Sequence, residues 1–174
     1  MRNFRGTLTL TNSTVSGNSA GFNGGGVTNG GTAILTNSTV SGNSAGTEGG
    51  GVSNVDGSLT LSRSLIAGNT ARYGSEVDNR FGGTVNANDF NLFGHDGLTN
   101  TQAFVGFTPS GTDINATSDG GGIPTALTGI LETNLATNGG TTRTHALEAD
   151  SPAIDAITTG CPPPVNDQRS KSRP

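Results

Sequence analysis

Charge is scarce in this chain: Asp, Glu, Lys and Arg make up 13% of its 174 residues, and the net charge is -4. That balance excludes the basic footprint of a nucleic-acid-binding protein. A single cysteine, Cys161, excludes an internal disulfide and a thiolate zinc site. Tryptophan is absent and tyrosine occurs once, at Tyr73, so an aromatic platform for stacking sugars is not expected. No stretch approaches the roughly 18 consecutive apolar residues of a membrane helix. The opening MRNFRGTLTLTN has no apolar core of the kind a signal peptide carries. Hydrophobic residues reach only 30%. Disorder would follow if the chain were also highly charged and aperiodic, and it is neither.

What the chain has in abundance is glycine, threonine, asparagine and serine, which fill about half of it and recur at fixed intervals. Three segments align: LTLTNSTVSGNSAGFNGGGVTNG from Leu8, AILTNSTVSGNSAGTEGGGVSNV from Ala33 and LTLSRSLIAGNTARYGSEVDNR from Leu59. Leu10, Leu35 and Leu61 correspond, as do Val15, Val40 and Ile66, then Val27, Val52 and Val77. Asn29, Asn54 and Asn79 follow two residues behind the last set, and a weaker fourth copy runs through VNANDFNLFG from Val85.

Within each copy apolar and polar residues alternate, which is the period of a strand. Thr, Val and the glycines disfavour helix throughout. Breaks at SGN, GGG and NGG supply the left-handed conformations that tight corners need. Short strands turned by glycine corners about every 25 residues predict an all-β parallel β-helix, each copy forming one coil. Equivalent side chains then stack in columns, with the leucine and valine columns filling a thin interior. Asn18, Asn43 and Asn69 form a further column. Asparagine tolerates a left-handed turn, which is one reading of this column; the favoured one is that each follows a glycine able to take the strained position, so that these amides lie inside and hydrogen-bond from coil to coil as a ladder.

Beyond the repeats stands the string NGGTTRTHALEADSPAIDA, Asn138 to Ala156, followed by GCPPPVNDQR and a final RP. The repeat units resemble polymorphic outer-membrane-type repeats of bacterial surface proteins. The later string resembles the choice-of-anchor Q domain, which closes β-helical surface proteins held to the cell by varied C-terminal anchors. Together the resemblances span roughly residues 6–174. They imply a right-handed parallel β-helix, a cell-surface or extracellular location, and a structural or adhesive role with glycans or other surface proteins as partners. Two positions depart from the pattern: Ser170 after DQR and Ile157 after SPAIDA stand where glycine is usual. The chain also starts inside a repeat, so a piece of a longer protein is expected, with the rest of that protein as its neighbour.

Candidate chemistry is sparse. His145, near Asp150 and Asp155 in sequence, has the residue types of a general base or a metal site. It sits in THAL, however, and the resemblance implies a structural histidine of the closing segment. His95 beside Asp96 lies in a glycine-rich loop. Asp78 and Arg80 are the carboxylate and the cation that a polysaccharide lyase on this fold would need together. Otherwise the aligned positions repeat Asn and Val, with no carboxylate column and no calcium-binding nonapeptide. The residues call for no cofactor. Thr7, Thr32 and Ser58 form one outward column and Thr11, Thr36 and Ser62 another, while Ile34 interrupts the column between them.

The organisation expected is coils over residues 1–94, a loop laid on the solenoid over 95–122, and a closing segment over 123–174. That segment should form one or two irregular final coils and end in an extended, solvent-facing tail from Gly160. The function expected is a non-enzymatic structural or adhesion module. The alternative is a carbohydrate-active β-helix enzyme of the lyase kind, or a glycan-binding module.

Overall fold

The computed structural model describes residues 1–87, 89–109, 111–157 and 165–172. Its strands are two to five residues long and assemble into three parallel sheets that wrap one narrow core. The first sheet stacks Arg2–Asn3, Val27–Asn29, Val52–Val55, Val77–Arg80 and Phe104–Val105. The second stacks Thr7–Thr11, Thr32–Thr36, Ser58–Ser62 and Thr84–Asn86, and the third Thr14–Ser16, Thr39–Ser41, Leu65–Ile66, Leu92–Phe93 and Ile114–Asn115. A small fourth ladder joins Ser19–Ala20 to Ser44–Ala45. The architecture is the β-solenoid that the 25-residue period predicts.

Register follows the sequence alignment. Leu10 pairs with Leu35 and Leu35 with Leu61. Val15 pairs with Val40 and Val40 with Ile66, while Val27, Val52 and Val77 pair in turn. One buried cluster contains these side chains together with Leu59, Phe93 and Phe104. Like residues stacked in register fill a narrow core, so a low apolar fraction suffices. At its far end Phe93, Phe104 and Phe107 meet edge to face, with ring centroids 5.1–6.1 Å apart, and plug the interior.

Two parts of the expected organisation differ from what is observed. The segment expected as a loop contributes paired strands: a short helix at Asn100–Ala103 leads into Phe104, which lies beside Val77, and Ile114 then lies beside Leu92. Apolar residues at the inward positions draw it into the sheets although it has lost the period.

The described residues of the closing segment do not stack as further coils. They form a strap along the outer face of the third sheet. In the first two coils the outward positions of that sheet are Thr14 and Ser16, then Thr39 and Ser41; in the next two they include Leu65, Ala67 and Leu92. Leu127, Ile130, Leu131 and Ala153 cover those apolar side chains in a second buried cluster. The strap then turns back on itself through antiparallel bridges at Leu131–Leu147 and Ala136–Thr144.

The tail from Gly160 was expected to be extended and solvent-facing. Its residues 158–164 and 173–174 lie outside the described residues. Residues 165–172 fold into a turn closed by an Asn166–Ser172 bridge, and they lie against the first coil.

Candidate functional site

Each edge of the prism carries a line of polar side chains. At the edge between the third and first sheets, Gly17, Gly42 and Gly68 adopt φ of +69°, +67° and +77°. Each following asparagine is thereby turned inward. Asn18 Nδ2 donates to Asn43 Oδ1 at 2.9 Å, and Asn43 Nδ2 to Asn69 Oδ1 at 2.9 Å. Asn43 and Asn69 are each 1% exposed, whereas Asn18 lies exposed at the end of the row. The fourth coil has no asparagine to continue the row. Glu76, fully buried, reaches the position instead and accepts from Asn69 Nδ2 at 2.6 Å and from the Gly68 amide at 2.8 Å. Burial pushes the Glu76 carboxyl up to about 8, against those donors, which pull it down.

A second ladder runs along the edge between the first and second sheets. Asn3 donates to Asn29, Asn29 to Asn54 and Asn54 to Asn79, at 2.7–2.8 Å. Sequence reading aligned the last three residues but assigned them no bond. Along the remaining edge the side-chain oxygens of Ser38, Ser64, Asn91 and Asp113 each accept the backbone amide of the preceding coil's equivalent residue. Glu76 itself gave one sequence signal: GSEV stands in the third copy where the first two have GGGV.

Asp78 and Arg80 come together on the first sheet. Arg80 Nε lies 2.9 Å from the Asp78 carboxylate, and its Nη1 lies 2.6 Å from Glu48 of the previous coil. The Tyr73 ring sits 5.6 Å from the guanidinium carbon. Asp78 is wholly buried. Burial raises its carboxyl to about 6, with Arg80 opposing the shift and Glu48 adding to it. The guanidinium is thus already clamped between two carboxylates, one of them beyond the reach of a ligand.

His145 and its two sequence neighbours are not one cluster. The imidazole joins the strap to the first coil: Nδ1 lies 2.7 Å from the Glu132 carbonyl and Nε2 2.9 Å from Ser16 Oγ. A carbonyl only accepts, so Nδ1 carries the proton, and in the neutral ring Nε2 accepts from the serine. Asp150 is exposed and stands apart, while Asp155 lines a groove with His145. That groove, about 550 Å³, lies between the strap and the outward face of the first two coils. Its floor is Thr14, Asn37 and Thr39, and its walls include Leu147, Ile154 and Arg169. His95 stays in its turn, where Nδ1 accepts the Gly97 amide at 3.1 Å and burial lowers its basicity against the pull of Asp96.

Among the described residues no group of three or more His, Cys, Asp or Glu could hold a metal ion, and no helix is long and apolar enough to cross a membrane. Comparison with protein families, curated proteins and solved structures finds no match to this chain.

Proposed function

We propose that this chain is a non-enzymatic structural and adhesion module of a bacterial surface or secreted protein, a stiff length of solenoid that holds a display surface away from its base. The observation that carries this reading is the state of the Asp78–Arg80 cluster. A lyase must neutralise a uronate carboxylate with calcium or a free guanidinium and keep an accessible base beside it. Arg80 is paired twice and Asp78 is buried, so neither group is open to a sugar. The three edge ladders support the same reading, because buried polar groups that are fully paired rigidify a fold.

The test is an absorbance assay for unsaturated uronate on pectate and alginate, with and without calcium. No turnover is expected. Turnover that disappears in Asp78→Ala or Arg80→Ala would overturn the proposal in favour of a lyase.

A further inference from the structure

The groove beneath the strap has the composition of a recognition site. It lies within the usual size range of ligand pockets. Two aliphatic side chains in its wall stay partly open to solvent, Leu147 at 44% and Ile154 at 42% exposure. Asp155, an exposed residue, also lines the groove, in a left-handed conformation with φ of +54° and with no side-chain partner among the described residues. On the floor Thr14 and Thr39 are register partners on adjacent coils. Thr14 donates its hydroxyl to Gln168, whereas no hydrogen bond to the Thr39 hydroxyl occurs among the described residues.

The Asn37 amide nitrogen on the floor is buried and unpartnered among the described residues, whereas the cationic and imidazole groups of the groove are occupied. Arg169 is held by Asp167 at 2.6 Å, and both ring nitrogens of His145 are engaged. An incoming anion therefore meets an unbalanced carboxylate and no free cation among the described residues. A peptide seeking backbone pairing finds the outer face of a sheet there and not its edge. A pyranose fits both features, because its hydroxyls donate to a carboxylate in charge-assisted bonds and its C–H face packs on aliphatic walls.

From this we infer that the groove under the strap binds a short neutral oligosaccharide, with Asp155 accepting from sugar hydroxyls, Thr39 completing the polar contacts and Leu147 and Ile154 covering an apolar sugar face. The inference rests on the reading of the chain as an adhesion module and names the ligand class for it.

The experiment is a titration of the whole chain, followed by NMR, with maltotriose, cellotriose, chitotriose, mannotriose, trigalacturonate and a lysine-containing hexapeptide. Saturable shifts are expected with at least one neutral trisaccharide and none with trigalacturonate. Asp155→Asn keeps a residue that tolerates the left-handed backbone. It should weaken binding on the order of tenfold, as loss of a charged acceptor does. Thr39→Val, isosteric and outside the core, should weaken it less, and both variants should retain the unliganded spectrum. Binding that survives in both variants, binding of trigalacturonate or the peptide in preference, or no shift with any neutral sugar would each overturn the inference. None of those results bears on the structural reading, which only cleavage of an added saccharide would sink.

Discussion

Glu76 ends the asparagine ladder from within its own coil, seven residues after Asn69, whose amide it accepts at 2.6 Å. The other rungs come from the next coil along, about 25 residues away. The carboxyl therefore does the work of an asparagine that the fourth copy lacks, and it does so in a dry interior.

That placement makes stability depend on pH. In the unfolded chain Glu76 titrates near 4.5, and in the fold near 8. Below 4.5 it is protonated in both states and costs nothing. Between the two values folding takes up a proton, so this group removes about 1.4 kcal/mol of stability per pH unit as pH rises. Above 8 the loss levels off. Glu76→Gln should show none of this slope. The variant should be less stable than the parent at pH 4, because Gly68 and Asn69 donate to different oxygens of Glu76 and the Gln NH2 sets a donor against one of them, and the gap should close toward pH 8. Urea melts of both proteins at pH 4, 6 and 8 check this, and parallel pH profiles would contradict it.

The ladder's interior rungs should outweigh the outer threonines. Asn43→Ala removes the donor to the buried Asn69 side chain and Val15 carbonyl, along with the acceptor of exposed Asn18, and should cost ~1–3 kcal/mol. Thr36→Ala, on the outer face, should stay within ~0.5 kcal/mol. Equal effects in chemical denaturation would reduce Asn43 to a turn residue.

Removing the cation between two carboxylates should be costly. Arg80→Ala strands buried Asp78 beside Glu48 and should destabilise on the order of 3 kcal/mol. Adding Asp78→Asn should recover part of that loss, a coupling that a double-mutant cycle measures directly. Strict additivity would show that the clamp is not a unit.

The strap should be separable from the coils. Leu131→Ala empties a buried position of its cluster, 1% exposed, and should cost about 2–5 kcal/mol where it packs. The loss should be local, so trypsin should cut after Arg143 faster than in the parent protein while the coils keep their β-type circular dichroism. Cleavage spread through the coils would mean that the strap and solenoid unfold together.

The stacked columns were legible because each coil repeats the problem of the last: Leu10, Leu35 and Leu61 occupy one environment three times over, and so they spell the period. The glycines before Asn18, Asn43 and Asn69 disclosed the inward turn in the same way. The strap was not legible, because it has no internal repeat and its docking surface is written as a small change in the coils. Where NSTVS gives way to RSLIA, the outward threonine becomes Leu65, which reads as one more core residue. Glu76 went unseen for the opposite reason. A charged residue in a glycine-rich turn reads as surface, and only the missing rung above Asn69 makes burial favourable. In the candidate site, sequence placed Asp78 beside Arg80, and Glu48 joined them only through the stacking of coils. Asp155 and His145 were grouped by nearness in the chain, whereas the groove they share is made by Thr14, Asn37 and Thr39, more than a hundred residues earlier.

The strap's far end grips the beginning of the solenoid: Asn12 Nδ2 donates to the Asn166 carbonyl at 2.9 Å and Thr14 Oγ1 to Gln168 Oε1 at 2.7 Å. Tension applied at Ser172 therefore reaches the first coil before it reaches the last. The load path doubles back, so a pull at that end is borne first by the hydrogen bonds at Asn12 and Thr14 and not by the solenoid's final turn.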